Sequence, residues 1–229
     1  MYGPIIWVEG LIGSGKTTIT KKLAEILGLR ALFEPVSSNP YLERFYKDPK
    51  RWATMMQMRL LHHRFALQKI AAFEATTTGG YRGAILDRGL PGDRVFAKMH
   101  MQAGNIDPLD WETYEFAYNV MACSLTPPSL LIFLDVEPEI AFERVKARAR
   151  TAETGIEKKY LEDLRKGYLD LLVEIESGTH AWSRGMEVMR LAWNSDHQPI
   201  DGLVDNLRHR FRLGGSHAEV ANPGGREDD

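Results

Sequence analysis

Gly10-Leu11-Ile12-Gly13-Ser14-Gly15-Lys16-Thr17 is the stretch from which the rest of the chain can be read. It fits G-x-x-x-x-G-K-T at every position, and its flanks supply the context this spacing needs. Ahead of it, Pro4 to Val8 is a short β-branched and aromatic run that reads as a buried strand. Behind it, Ile19, Leu23, Ile26 and Leu27 recur at helical spacing until Gly28, where a helix would stop. A glycine-rich turn between strand and helix lets backbone N–H groups point inward at a polyphosphate, and the helix N-terminus adds partial positive charge. Gly10, Gly13, Ser14, Gly15, Lys16, Thr17 and Thr18 are therefore candidate contacts to the donor phosphates. Lys16 would reach the transferring group, and the Thr17 hydroxyl would bind magnesium. Taken alone, the loop does not separate kinases from GTPases, motors or regulators.

Outward from the loop, strand-like and helix-like stretches alternate. Ala31 to Phe33, Ala84 to Leu86, Leu130 to Leu134 and Glu187 to Ala192 read as strands. Between them fall helices at Asn39 to Tyr46, Pro49 to Thr76, from Pro91, at Asp110 to Leu125, Glu139 to Ala149 and Glu157 to Glu176, with Asp201 to Phe211 closing the chain. Such alternation predicts an α/β fold with a parallel, roughly five-stranded sheet covered by helices on both faces, the three-layer P-loop NTPase arrangement. In the long helix over Pro49–Thr76, apolar residues fall on several faces, which predicts burial on more than one side. Residues 1–213 form one expected domain, and Gly214 to Asp229, polar and without period, an expected disordered tail.

Composition narrows the function. A formal net charge of −2 argues against a general nucleic-acid binder, which needs a basic excess. The longest apolar run, Leu130 to Leu134, is far short of the ~20 residues of a membrane helix, so no membrane partner is expected. One cysteine, Cys123, forms no intramolecular disulfide, and no Cys/His cluster has zinc spacing. With no leader-like N-terminus, a reducing, cytoplasmic setting is expected.

In open α/β sheets the ligand crevice lies beyond the carboxyl ends of the strands. There the second strand ends in Glu34 and the third in Asp87-Arg88. Asp87 suits a magnesium-side carboxylate, and Arg88 could neutralise charge on a moving phosphoryl group. Glu34 is the more informative. A carboxylate facing the transferred phosphate repels a phosphorylated acceptor but suits a hydroxyl, whose proton it can take as general base.

These features, together with Glu34-Pro35-Val36, Trp52 followed by Gln57 and Arg64, Asp87-Arg88 followed by Asp93-Arg94, and an arginine run with Glu153, resemble the deoxynucleoside kinase family. The likeness runs collinearly over residues 4–211. Asn39-Pro-Tyr-Leu-Glu-Arg-Phe-Tyr46, and Asp87 where animal members have Glu, resemble the bacterial and viral purine-preferring branch. The resemblance implies an ATP-dependent 5'-kinase of nucleotide salvage, acting with Mg2+ on deoxyadenosine or deoxyguanosine, with deoxycytidine possible. It implies catalysis by Glu34, Arg88 and Lys16, with Tyr46 and Glu153 at the sugar 3'-hydroxyl. It also implies base reading by Gln57, Arg64 and Asp93, and a lid over about 148–155 in which Arg144, Arg148 and Arg150 close on the donor phosphates. A homodimer through the long helices is typical of the family. Two departures stand out: Gly89 occupies the place of the usual Ser after the Asp/Glu-Arg pair, and Ser37-Ser38-Asn39 lacks the Trp of animal members.

Elementary geometry leaves some assignments open. Gln57 and Arg64 are two helical turns apart, roughly 10 Å along the axis, a span that can bracket a nucleobase or equally tie the helix to its neighbours. Gln pairs with adenine, Arg with the acceptor edge of guanine, and Asp accepts from an exocyclic amine. Cations at a helix C-terminus have a dipole reason of their own. A nucleoside monophosphate kinase of the thymidylate-kinase kind is the nearest rival, but it clamps a phosphate with an Arg that here is Phe33. A non-enzymatic nucleotide switch would need an Asn-Lys-x-Asp stretch, which the chain lacks.

Overall fold

The computed structural model describes residues 2–34, 39–77, 80–148, 155–180, 182–183, 185–195 and 197–213. The tail 214–229 and most of the expected lid lie outside them, as do Arg150 and Glu153. Five parallel strands, β1 (Ile5–Gly10), β2 (Arg30–Leu32), β3 (Ala84–Asp87), β4 (Leu130–Asp135) and β5 (Glu187–Ala192), lie in the order β2-β3-β1-β4-β5. The helices are α1 (Lys16–Leu27), α2 (Leu42–Lys47), α3 (Pro49–Thr76), α4 (Leu90–Gln102), α5 (Pro108–Cys123), α6 (Pro138–Arg148), α7 (Lys158–Glu176) and α8 (Asp201–Phe211).

Period-two alternation along the strands sends successive side chains to opposite faces. Ile6, Val8, Ile85, Ile132 and Leu134 pack with Ile19, Leu23 and Leu27 of α1 and with Val204 and Leu207 of α8. Trp7, Leu86, Leu131 and Phe133 face the other way, into the core shared with α3, α4, α5, α6 and α7. The result is the expected three-layer arrangement.

Several boundaries differ from the sequence reading, each through pairing or capping. β1 continues through Glu9 and Gly10, which pair with Phe133 and Leu134. β2 begins at Arg30 and stops at Leu32, opposite Leu86, so Phe33 and Glu34 project past the sheet edge. α5 starts at Pro108 because the Asp107 side chain accepts from the Leu109 N–H. α2 starts only at Leu42. Asn39 Oδ1 accepts from the Tyr41 N–H, forming a local turn that delays the helix.

The long helix α3 departs most from expectation. Its buried positions, Ala53, Met56, Gln57, Leu61, Arg64, Gln68, Ala71 and Ala75, form one stripe at helical spacing, not several. That stripe carries three polar side chains, while Met55, Ile70 and Phe73 are exposed.

Candidate active site

Past the carboxyl ends of β1, β2 and β3 lies a cavity of about 550 Å³. The phosphate loop forms one end. Gly10, Gly13 and Gly15 all have positive φ, and a Cβ on Gly13 would stand 2.5 Å from the Ala141 carbonyl oxygen, so the turn admits only glycine there. Ser14 is buried beneath the loop, and Thr18 lies on the exposed side of the first turn of α1. Lys16 folds back onto its own loop, donating to the carbonyls of Gly10 (3.1 Å) and Leu11 (2.5 Å). Burial, aided by Arg88, brings its ammonium down to about 7. A polyphosphate entering the loop would restore that charge.

Thr17 Oγ1 donates to Asp87 Oδ2 at 2.5 Å, joining the start of α1 to the end of β3. A hydroxyl and one carboxylate at the phosphate end fit Mg2+, which takes few protein ligands and completes its shell with water and phosphate oxygens. Among the described residues no group of three or more His, Cys, Asp or Glu could hold a metal by itself.

The opposite wall is built on α2, α3, α4 and α7. Gln57 is fully buried, yet among the described residues neither its Oε1 nor its Nε2 has a hydrogen-bond partner. Asn39, on the same wall, has its Oδ1 committed to Tyr41, which leaves its buried Nδ2 unpartnered. Tyr46, Phe33, Phe45, Met56, Phe96 and Tyr160 supply apolar and aromatic surface. Such a cavity matches a flat, partly polar ligand.

Between the two ends sits a buried ionic cluster. Arg64 donates to both carboxylate oxygens of Glu34, Nε to Oε1 at 2.9 Å and Nη2 to Oε2 at 3.1 Å, and through Nη1 to Asp93 Oδ1 at 2.6 Å. The second oxygen of Asp93 accepts from the Tyr114 hydroxyl at 2.5 Å. Asp93 therefore lies behind Arg64 and does not line the cavity. Burial pushes its carboxyl up to about 6, against the pull of Arg64. Arg64 itself stays charged, because Glu34 and Asp93 together outweigh the desolvation that opposes it. Arg88 lines the cavity with its Nε 3.9 Å from Glu34 Oε2 and its guanidinium over the Phe96 ring.

Lys16, Thr17, Glu34, Tyr46, Gln57, Arg64, Asp87, Arg88 and Arg148 thus share one cavity. Arg144 does not line it; its Nη1 donates to the Trp193 carbonyl at 3.2 Å. Residues absent from the sequence reading are Glu9, Phe96, Tyr160 and Tyr168, and Asn39 entered it as the start of a helix and of the Asn39–Tyr46 motif, with no site role. Glu9 had a signal, a carboxylate inside an apolar strand. The three aromatics had none, since distant helices bring them in.

The deoxynucleoside kinase family matches residues 6–199 of the chain. A deoxyadenosine kinase of Dictyostelium discoideum is 37% identical over 194 residues, 85% of this chain and 74% of that protein. The deoxyadenosine/deoxycytidine kinase of Bacillus subtilis is 38% identical over 169 residues, 72% of this chain and 74% of its own length. Deoxyadenosine kinase from M. mycoides, solved with bound dCTP, superposes with a TM-score of 0.74 at 28% identity, covering 90% of this chain and 99% of the other. With a phosphate loop at one end of such a cavity and these relatives, the chain belongs to the deoxynucleoside kinase family of ATP-dependent phosphotransferases.

Proposed function

We propose that the enzyme transfers the γ-phosphoryl of ATP to the 5'-hydroxyl of a purine deoxynucleoside, deoxyadenosine or deoxyguanosine, with deoxycytidine as a further acceptor. The observation that carries this reading is Gln57. A fully buried amide with both polar atoms unpartnered costs stability unless a ligand completes it, and a base edge offering one donor and one acceptor does so. Arg64 stands two helical turns further along the same helix face, and Asp93 acts on the base through it, by fixing its orientation. Tyr46 holds the sugar, together with Glu153 from outside the described residues.

For the chemistry, Lys16 leaves the loop carbonyls for the donor phosphates, and Glu34 takes the proton of the 5'-hydroxyl as that oxygen attacks. Glu34 must first exchange part of its pairing with Arg64 for the incoming hydroxyl. Arg88 steadies the charge that spreads over the phosphoryl oxygens, and Arg144, Arg148 and Arg150 close over the donor. Thr17 and Asp87 would hold Mg2+, which when bound with ATP neutralises charge between the phosphates. The monophosphate-kinase and switch alternatives have no counterpart among the relatives above.

Two coarser features belong to the same reading. Leu109, Phe116 and Val120 on α5, with Ile70 and Phe73 on α3, are exposed apolar side chains that suit a homodimer. A cytoplasmic setting belongs to the same reading, and the free thiol of Cys123 suits a reducing one; among the described residues no helix is long and apolar enough to cross a membrane.

The test offers the four deoxynucleosides and their monophosphates with labelled ATP. Deoxyadenosine and deoxyguanosine are expected to give 5'-monophosphates at the highest kcat/KM; turnover of the monophosphates alone would overturn the reading. Glu34→Gln should lower kcat by about 100-fold or more with ATP affinity nearly intact, because it removes proton acceptance without adding bulk.

A further inference from the structure

Glu9 is the last charged residue before the phosphate loop, fully buried in β1, and it does not line the cavity. Its carboxylate is nonetheless fully engaged. Oε1 accepts from the Gly89 N–H at 2.7 Å, and Oε2 accepts from the Tyr168 hydroxyl at 2.8 Å. The same hydroxyl accepts from Arg88 Nη1 at 2.6 Å, and Nη1 also donates to the Gly10 carbonyl at 3.2 Å. The geometry points to Glu9 and Tyr168 as positioning residues, a buried carboxylate–phenol brace that holds the Arg88 guanidinium in its phosphoryl-transfer orientation without either residue touching a substrate. This inference rests on the reading of Arg88 given above.

Proton bookkeeping supports it. The phenol has one hydrogen, and that hydrogen is directed to Glu9 because Arg88 can only donate. Tyr168 is thereby turned into an oriented acceptor for the guanidinium. Only an ionised carboxylate can take the phenol proton and the Gly89 N–H together with no donor left over. Glu9 also faces Arg88 Nη1 directly at 3.8 Å. Burial leaves the Glu9 carboxyl above its usual range, with Arg88 and the hydrogen bonds from Gly89 and Tyr168 pulling against it, so the ionised form rests on this bonding pattern.

Local backbone is shaped around the same group. Arg88 adopts φ 79°, a left-handed conformation rare for a long side chain. Its N–H donates to Val8 O at 3.1 Å, and the next N–H, that of Gly89, is the one Glu9 accepts. Across the carboxylate, a Cβ on Gly92 would stand 2.5 Å from either Glu9 oxygen, so the first turn of α4 leaves room for the carboxylate by having no side chain there. A buried ionic group is weak support for stability, since apolar replacements often serve as well or better. Its orientation of a cavity-lining arginine is the role that stability alone does not explain.

The deciding variant is Tyr168→Phe, which keeps the ring packed against Phe133 and Phe96 and deletes only the hydroxyl. Steady-state kinetics with ATP and deoxyadenosine should show kcat down about 10- to 100-fold, with both KM values within about 2-fold of wild type. Glu9→Gln should fall at least as far, because the phenol proton then meets an amide donor. The double variant should be no slower than the slower single one, as expected of a unit. Arg88→Lys is run alongside. If Arg88→Lys keeps full kcat, the reading of Arg88 fails and the brace with it. If Arg88→Lys is slow but Tyr168→Phe keeps kcat within 2-fold, or loses kcat only in step with a large fall in thermal midpoint, the brace is overturned while the Arg88 reading stands.

Discussion

At Gly89 the obstacle to a side chain is a neighbour rather than the backbone. Its φ of −110° suits any residue, but a Cβ there would lie 2.4 Å from the indole of Trp7. Trp7 is itself held, donating to Gln68 Oε1 at 2.7 Å and meeting Trp182 edge-on. The serine usual at this position in the family is thus replaced by an indole on the adjacent strand. Gly89→Ser should overpack the core by about 1–3 kcal/mol and lower the thermal midpoint by roughly 2–10 °C. Combined with Trp7→Phe, which opens that space, the serine should cost clearly less than it does alone. Calorimetric melts of the two singles and the double decide the matter, and strict additivity would clear Trp7 as the obstacle. Sequence alone exposed the missing serine but not the reason for it, because the clash involves a residue 82 positions away in the chain.

Among the elements, the phosphate loop and its flanks were legible because glycine spacing and strand-to-helix context are local properties. The placing of Glu34 and Asp87 was legible for a related reason, since Asp87 ends β3 and Glu34 lies two residues past the end of β2. The long helix α3 was misread because apolar residues in a sequence do not say which face meets the rest of the chain. Its buried stripe runs through Gln57, Arg64 and Gln68: Arg64 is buried with partners at Glu34 and Asp93, Gln68 with partners at Trp7 and Thr126, and Gln57 with none among the described residues. Ile70 and Phe73, off that stripe, are exposed, as are Phe116 and Val120 of α5. On α5, Phe116 and Val120 are one turn apart and share a face. Should these helices pair two copies of the chain, Phe116→Glu will shift the species in sedimentation equilibrium from dimer to monomer with far-ultraviolet circular dichroism unchanged. A wild-type protein that sediments as a monomer up to tens of micromolar, as judged against typical specific interfaces, would remove that assignment.

Over the whole molecule, the site exists because α2, α4 and α7 converge on one end of the sheet, and no window of sequence contains that convergence. His100 marks where they meet. It is buried on α4, 4.9 Å from the Phe45 ring of α2 and 5.9 Å from the Tyr160 ring of α7, both of which line the cavity. Among the described residues its Nε2 has no partner, and Nδ1 has only Asn105 Nδ2 at 3.5 Å. Burial brings it down from 6.5 to about 4, so it folds neutral. An unfolded chain binds a proton at His100 below about 6.5, whereas the folded one binds it only below about 4. Stability from this residue is therefore complete above the unfolded value and is lost as pH falls through that window. Asp93, pushed up to about 6 by burial, works in the opposite direction, since the folded state holds its proton more tightly than the unfolded chain. A comparison of wild type with His100→Leu isolates the histidine. Urea unfolding at pH 7.5 and pH 5 should show the wild type losing about 2 kcal/mol relative to the variant on acidification, the linkage expected for 1.5 units of pH below 6.5. A difference between the two proteins that stays constant with pH would mean that His100 takes up its proton in place, and that the packing of α2 and α7 around it yields more readily than its burial implies.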